Sequence, residues 1–276
     1  MPFKTILAIV GATDAAADIE RAIELCSEQE AHLSIIVAGL ALPPAAGDFP
    51  AGTVWLDQRY EDLKVLDDVR NKAETACEVS GLTFDIDQIY SEAAILSGEI
   101  YRRALYADVI FIGDGVRGDR ELTRAVVSGS VFDARRPLLL APKNGKLTLK
   151  PKQILLAWNS RAEATRAARE ALDMLIDADS VHIMLVDPDG SYWENGGEPG
   201  ADVAVYLSRH GVKAFVEQVA SGGRPVEEVL EQHALENGCD LIVMGAYGHS
   251  RLRERIFGGV TASIVEGCQF PVFLAR

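Results

Sequence analysis

Short, unbroken apolar runs alternate along this chain with stretches in which apolar residues recur every third or fourth position. In the second half the runs are Ile154–Trp158, Val181–Val186, Val212–Val219, Leu241–Met244 and Val272–Leu274. Most are continuous rather than alternating, the pattern of strands buried on both faces. Helical patterns fall between them at Arg161–Leu175, Ala201–Arg209, Pro225–Glu236, with proline at the first turn, and Thr261–Cys268. Five strands alternating with four helices predict a parallel sheet covered on both faces. Right-handed crossovers make it an open, doubly wound α/β fold. Ligands of such sheets bind beyond the carboxyl ends of the strands, at a switch in strand order.

The first half repeats the second. Lys4-Thr-Ile-Leu-Ala-Ile-Val10 resembles Lys152-Gln-Ile-Leu-Leu-Ala-Trp158, and each precedes a helical stretch, Asp14–Glu28 in the first half. Ala107-Asp-Val-Ile-Phe-Ile-Gly113 matches Cys239-Asp-Leu-Ile-Val-Met-Gly245, and Arg136-Pro-Leu-Leu-Leu-Ala141 matches Phe270-Pro-Val-Phe-Leu-Ala275. The order is the same in both halves, so the chain reads as two similar domains. The first half is longer by a Pro/Gly-rich loop, residues 39–52, and by a longer helix at Gln58–Cys77. The linker 142–151 holds Asn-Gly and two prolines, which places the domains at 1–143 and 151–276.

Composition narrows the partners. The 276 residues carry 41 acidic against 27 basic side chains, a net charge of −14 and a pI near 4.8. Such a surface repels a phosphate backbone, which argues against nucleic acid but leaves room for a small anion in a local basic pocket. Cys26, Cys77, Cys239 and Cys268 form no CxxC or Cys/His cluster, so no metal site is signalled, and they read as buried free thiols. No apolar run approaches the ~20 residues of a membrane span, and the first residues lack a secretory pattern. A cytoplasmic protein with no membrane partner is expected.

The richest chemistry follows the fourth strand of the second half: Gly245-Ala-Tyr-Gly248-His-Ser-Arg-Leu-Arg-Glu-Arg-Ile-Phe-Gly258-Gly259-Val-Thr261. Glycine at a strand end lets backbone N–H groups approach an anion, and glycines at a helix start add the positive end of its dipole. Arg251, Arg253 and Arg255 lie between them in an otherwise acidic half. The same residue types also fit plain turns and a solvated basic face. The Gly-x2-Gly-x9-Gly spacing of Gly245, Gly248 and Gly258 resembles the nucleotide loop of the universal stress protein family. The resemblance extends over both halves, including the Ile-Leu-x-Ala opening and the closing x-Pro-Val strand, and is to the tandem, two-domain type.

That resemblance implies the adenine nucleotide alpha hydrolase-like fold, a five-stranded, mostly parallel sheet in each domain. It implies that the second domain binds ATP or ADP, with Mg²⁺ for a triphosphate, and acts as a regulator; at most it is a slow ATPase. Residue by residue, the family's acidic position at the end of the first strand falls at Asn159, flanked by Ala157 and Trp158. The adenine-lining position of the second strand falls at Val186, and Met244 precedes the loop. His249 follows Gly248, in reach of a phosphate or of solvent. Where the family has Ser or Thr after its last glycine this chain has Gly259, then Val260 and Thr261. The resemblance also implies pairing of two domains along their last strands, here Pro137–Ala141 and Pro271–Ala275 within one chain as a pseudo-dimer, with a further homodimer open. Asn159 and Gly259 keep a second reading in view, a stress-associated scaffold or a carrier of another small ligand.

The first half departs further. Its acidic position is Gly11, its second and third loop glycines are Val116 and Val126, and Gly129-Ser130 falls inside the following helix. It reads as a copy that has lost its nucleotide site. Gly113-Asp-Gly115-Val-Arg-Gly118 fits GxGxxG but follows the fourth strand, where a dinucleotide fingerprint does not belong. Neither a P-loop nor a catalytic constellation is visible, and no histidine has a partner at metal spacing. Tyr192 and Trp193 stand in a loop-like stretch, as a cover for a pocket or for the other domain.

Overall fold

The computed structural model describes residues 3–41, 52–142, 145–188, 198–246 and 259–276. Its contacts divide the chain into two compact units, Phe3–Arg136 and Pro137–Arg276. In the first unit, β1 (Thr5–Val10), α1 (Ala15–Gln29), β2 (His32–Leu40), α2 (Gly52–Ser80), β3 (Phe84–Ser91), α3 (Ala93–Ala104) and β4 (Val109–Ile112) alternate strictly. The strands lie in the order β3-β2-β1-β4, all parallel. Two short helices follow, α4 (Asp114–Arg117) and α5 (Arg120–Val127), then a π-helical turn at Ser128–Asp133. The Gly129-Ser130 pair sits in that turn, where a Cβ on Gly129 would come within 2.4 Å of the Ser97 carbonyl.

The second unit begins with β5 (Leu138–Leu140). It continues with β6 (Gln153–Ala157), α6 (Ala162–Glu170), α7 (Leu172–Asp177), β7 (Ser180–Val186), α8 (Ala201–Arg209), β8 (Ala214–Val219), α9 (Val226–Glu236), β9 (Leu241–Gly245), α10 (Gly259–Gly267) and β10 (Val272–Ala275). Strand order is β5-β10-β9-β6-β7-β8. All neighbours are parallel except β5 and β10, which pair antiparallel with Leu139 opposite Phe273. The helix expected over Arg161–Leu175 is broken into α6 and α7 at Ala171, whose ψ of 2° leaves the helical region. Pro225 precedes α9 instead of opening it, with ψ 139°. Among the described residues, five strands come from each half of the sequence, and together they form the mostly parallel α/β architecture.

The central strands are covered on both faces. Ile6 to Val10 of β1 and Ile154 to Leu156 of β6 are at most 1% exposed. At their N-terminal ends the repeated Asp of the matched segments performs the same task twice. Asp108 Oδ2 accepts the N–H groups of Lys4 and Thr5 at 2.7 and 2.9 Å. Asp240 Oδ2 accepts those of Lys152 and Gln153 at 2.7 and 3.1 Å. A carboxylate on backbone N–H groups is a charge-assisted bond, stronger than a neutral one. It ties β1 to β4, and β6 to β9, at the start of each pair, which is why Asp recurs in both segments.

One carboxylate in the first unit is placed against the usual rules. Asp18 of α1 is 1% exposed. Its Oδ2 accepts the Gly115 N–H at 3.1 Å, while Oδ1 has no hydrogen-bond partner. The carboxylate lies on the backbone of the GxGxxG-like segment: a Cβ on Gly113 would fall 1.7 Å from Oδ1. Burial pushes its pKa from 3.8 up to about 6, against the lowering by the Gly115 hydrogen bond and by Arg21. A carboxyl that holds its proton more tightly when folded favours the folded state below pH 4, and that advantage is lost as pH rises through about 6. Urea unfolding of wild type and Asp18→Asn at pH 7.5 and pH 5 tests this. The stability difference between the two proteins is expected to shift by about 1–2 kcal/mol toward wild type at the lower pH. Equal differences at both pH values would mean that Asp18 is not a buried, titrating charge.

Candidate functional site

Strand register decides where the second unit can take a ligand. β6 lies between β9 and β7, and the chain leaves β6 toward β7 and reaches β9 only later, so the β6/β9 boundary is the switch in strand order. Pairing of β6 with β9 runs from Ile154–Leu241 to Leu156–Val243 and stops there. Pairing of β6 with β7 continues to Ala157–Met184. The strands therefore part at their carboxyl ends, between Ala157 on one side and Met244-Gly245 on the other. β9 itself remains paired with β10 through Gly245–Ala275, and the Ala246 N–H reaches the Ala275 carbonyl at 2.7 Å.

Those of the expected residues that are described lie at the ends of separate elements. Ala157 ends β6 and Val186 ends β7, both half-buried. Trp158 is half-buried, and its N–H donates to the Met184 carbonyl at 2.9 Å. Met244 is buried near the end of β9. Asn159 is exposed, and its Oδ1 accepts the Arg161 N–H at 3.2 Å, which shapes the turn into α6. Gly259, Val260 and Thr261 form the first turn of α10, with Thr261 buried. Gly259 has φ +41°, a left-handed conformation that suits glycine and accounts for the absence of a hydroxyl-bearing residue there. Gly248, His249 and Gly258, the three arginines, Tyr192 and Trp193 lie outside the described residues.

Gly245 has a packing role beside any ligand role. A Cβ there would stand 2.6 Å from the Glu163 carbonyl carbon and 2.7 Å from the Ala164 nitrogen. The first turn of α6 thus rests directly on the end of β9. In the first unit the matching Gly113 meets Asp18 of α1 in the same way, but the space beyond is filled. The Gly115 carbonyl oxygen lies 3.1 Å from where a Cβ on Gly11 would be, and Val116 is fully buried. Val126 is fully buried in α5. The positions that carry loop glycines in the second half are core residues in the first.

One polar cluster escaped the sequence. His182 of β7 holds Glu217 Oε1 of β8 from Nδ1 at 3.0 Å, and His233 of α9 meets Oε2 from Nε2. Ser180 Oγ lies 3.4 Å from His182 Nε2, but its proton goes to Gln153 Oε1. The hydroxyl is committed to that amide, so the Ser–His–Glu order works here as a structural chain. Burial pushes the Glu217 carboxyl up, and the hydrogen bonds from both imidazoles outweigh it, holding it below its ordinary value. The partners are far apart in sequence and follow no motif spacing, so only the regular alternation of Ser180, His182 and Met184 along β7 hinted at a shared face. Among the described residues no group of His, Cys, Asp or Glu is placed to hold a metal ion. The four cysteines are free and buried, and burial drives Cys26 and Cys239 to about 12, far from a nucleophilic range.

The Gly245 contact is testable on its own. Gly245→Ala should force α6 off β9 and cost about 1–3 kcal/mol, the range of an overpacked core site. Thermal melting would show it as a clear drop in Tm, and an unchanged Tm would mean that α6 does not press on β9.

Residues 151–276 match the family model described as the Universal stress protein family. Universal stress protein Slr1230 of Synechocystis sp. is 28% identical over 142 residues, 51% of this chain and 47% of that protein. Universal stress protein YxiE of Bacillus subtilis is 38% identical over 66 residues, 24% of this chain and 43% of that protein. The chain thus spans less than half the length of either curated relative. A solved structure of a universal stress protein from Archaeoglobus fulgidus superposes with a TM-score of 0.67 at 16% identity, covering 98% of this chain and 96% of that one. At that identity the likeness is one of fold. With the fold, the glycine-led loop position and the family match in agreement, residues 151–276 belong to the universal stress protein family.

Proposed function

We propose that this protein serves stress response by binding ATP or ADP in residues 151–276, as a regulator that responds to nucleotide occupancy. The observation that carries the reading is the parting of β6 and β9 beyond Leu156–Val243, at the switch in strand order. An adenine needs an apolar slot with a few polar groups at its rim. Ala157, Val186 and Met244 supply apolar strand ends, and the backbone of Trp158 and Asn159 lies at the rim. Gly245, Gly248 and Gly258 carry the spacing of a phosphate loop, and the first turn of α10 at Gly259, Val260 and Thr261 offers N–H groups to phosphate oxygens. Mg²⁺ would arrive with a triphosphate, held by its phosphates. The filled switch point of the first unit, with α4 and Val116 in it, supports one nucleotide per chain.

The reading extends to assembly. The antiparallel register of β5 with β10 supports a pseudo-dimer of the two repeats within one chain. A further homodimer is decided by sedimentation at micromolar concentration. The second reading, a scaffold or a carrier of another small ligand, is favoured by the Asn159 side chain, which is spent on its own turn. Among the described residues no helix is long and apolar enough to cross a membrane.

Two measurements test the proposal. Denaturing the freshly purified protein and identifying released molecules by mass spectrometry should yield about one ATP or ADP per chain. In calorimetric titration, Gly248→Val with Gly258→Val should weaken ATP–Mg²⁺ binding at least tenfold. An empty protein that also ignores added nucleotide overturns the reading in favour of the scaffold, and unchanged affinity in the variant removes the loop from the site.

A further inference from the structure

The opposite edge of the second unit, at the N-terminal ends of β9 and β10, holds a groove of about 710 Å³. That volume falls within the roughly 300–1,000 Å³ of small-molecule sites. Its walls are α9 on one side and Pro142, Gly145, Lys146 and Thr148 on the other, with Cys239, Phe270 and Pro271 at the base. The helix turns two faces in different directions. Val229, Leu230 and Ala234 are buried. Glu228, Glu231 and Leu235, spaced i, i+3 and i+7, form a single stripe along the groove.

Two features of that stripe call for a ligand. Leu235 is 71% exposed beside further apolar surface from Phe270 and Pro271, a cost that nothing on α9 itself offsets. Cys239, at 7% exposure, completes the apolar base, and its thiol makes no hydrogen bond among the described residues. Glu228 and Glu231 stand next to this surface, and neither forms an ion pair among the described residues. Asp240 already spends Oδ2 on the N–H groups of Lys152 and Gln153. Lys146 also lines the groove, but pairs with neither glutamate. The groove therefore sets two carboxylates that have no cationic side-chain partner among the described residues beside an apolar patch. An anion would meet both charges, and a neutral apolar molecule would leave them unused.

We propose that this groove binds a small organic amine with an apolar body. Its ammonium lies between Glu228 and Glu231, and its body covers Leu235 and Phe270. The site is independent of the nucleotide reading, since the two lie at opposite ends of the strands. Phenethylamine is a suitable probe, titrated into the full-length ¹⁵N-labelled protein and followed by amide shifts, with phenylacetate as the anion of similar shape. Saturable shifts centred on Gly145, Leu235 and Cys239 are expected with the amine and none with the acid. Glu228→Gln with Glu231→Gln should weaken binding at least tenfold at unchanged melting temperature, and Lys146→Ala should tighten it severalfold. Shifts scattered without saturation over the acidic surface, an equal response to phenylacetate, or unchanged affinity in both variants would overturn the proposal.

Discussion

A parallel strand covered on both faces by helices meets solvent only at its two ends. In each unit the central strand obeys this constraint, with β1 and β6 closed off along almost their whole length. The middle of such a strand is committed to packing, so polar chemistry collects at the edges of the sheet. At the N-terminal edge each unit uses an aspartate, Asp108 or Asp240, to gather the free N–H groups where the central strand begins. At the carboxyl edge the strands can part, and there the two units differ.

The difference rests on how each unit treats the end of the strand beside its central one. Gly113 and Gly245 occupy matching places, and each lets the first helix of its own unit come close. In the second unit backbone meets backbone, and the chain runs on into the glycine-spaced loop. In the first unit the neighbour is the Asp18 carboxylate, bonded to Gly115, with Val116 driven into the core. A carboxylate on a backbone N–H is chemically close to what an anionic ligand offers. The first unit thus carries an internal acid at the place where, in the second unit, Gly245 meets the backbone of α6. A half-satisfied, desolvated carboxylate is a costly way to fill that space.

The same economy of position explains the polar side chains away from the edge site. Glu217 is held by two imidazoles from different elements, which binds β8 and α9 to β7 while satisfying both carboxylate oxygens. His32 does comparable work in the first unit, meeting Asp85 at 2.8 Å and Thr83 at 3.1 Å. Each of these histidines joins separate elements through a carboxylate.

What could be read from the chain was whatever depends on neighbours in sequence. Apolar runs mark strands because burial on both faces demands them, and the repeat of Asp108 and Asp240 marks equivalent strand starts. Ala157, Val186 and Met244 were reached only through the family resemblance, and the structure sets them at or beside the carboxyl ends of their strands. The break of α6 at Ala171 was not legible, because alanine favours a continuous helix. Nor were the Asp18–Gly115 bond and the shared Glu217, which join residues distant in the chain. Local pattern suffices for the alternation of strands and helices, the internal repeat and the glycine spacing after β9. Where β6 and β9 stop pairing, which buried carboxylate lies against Gly113, and which face of α9 lines a groove emerge only on folding. Those depend on register and close approach between distant segments, and local propensity carries no record of either.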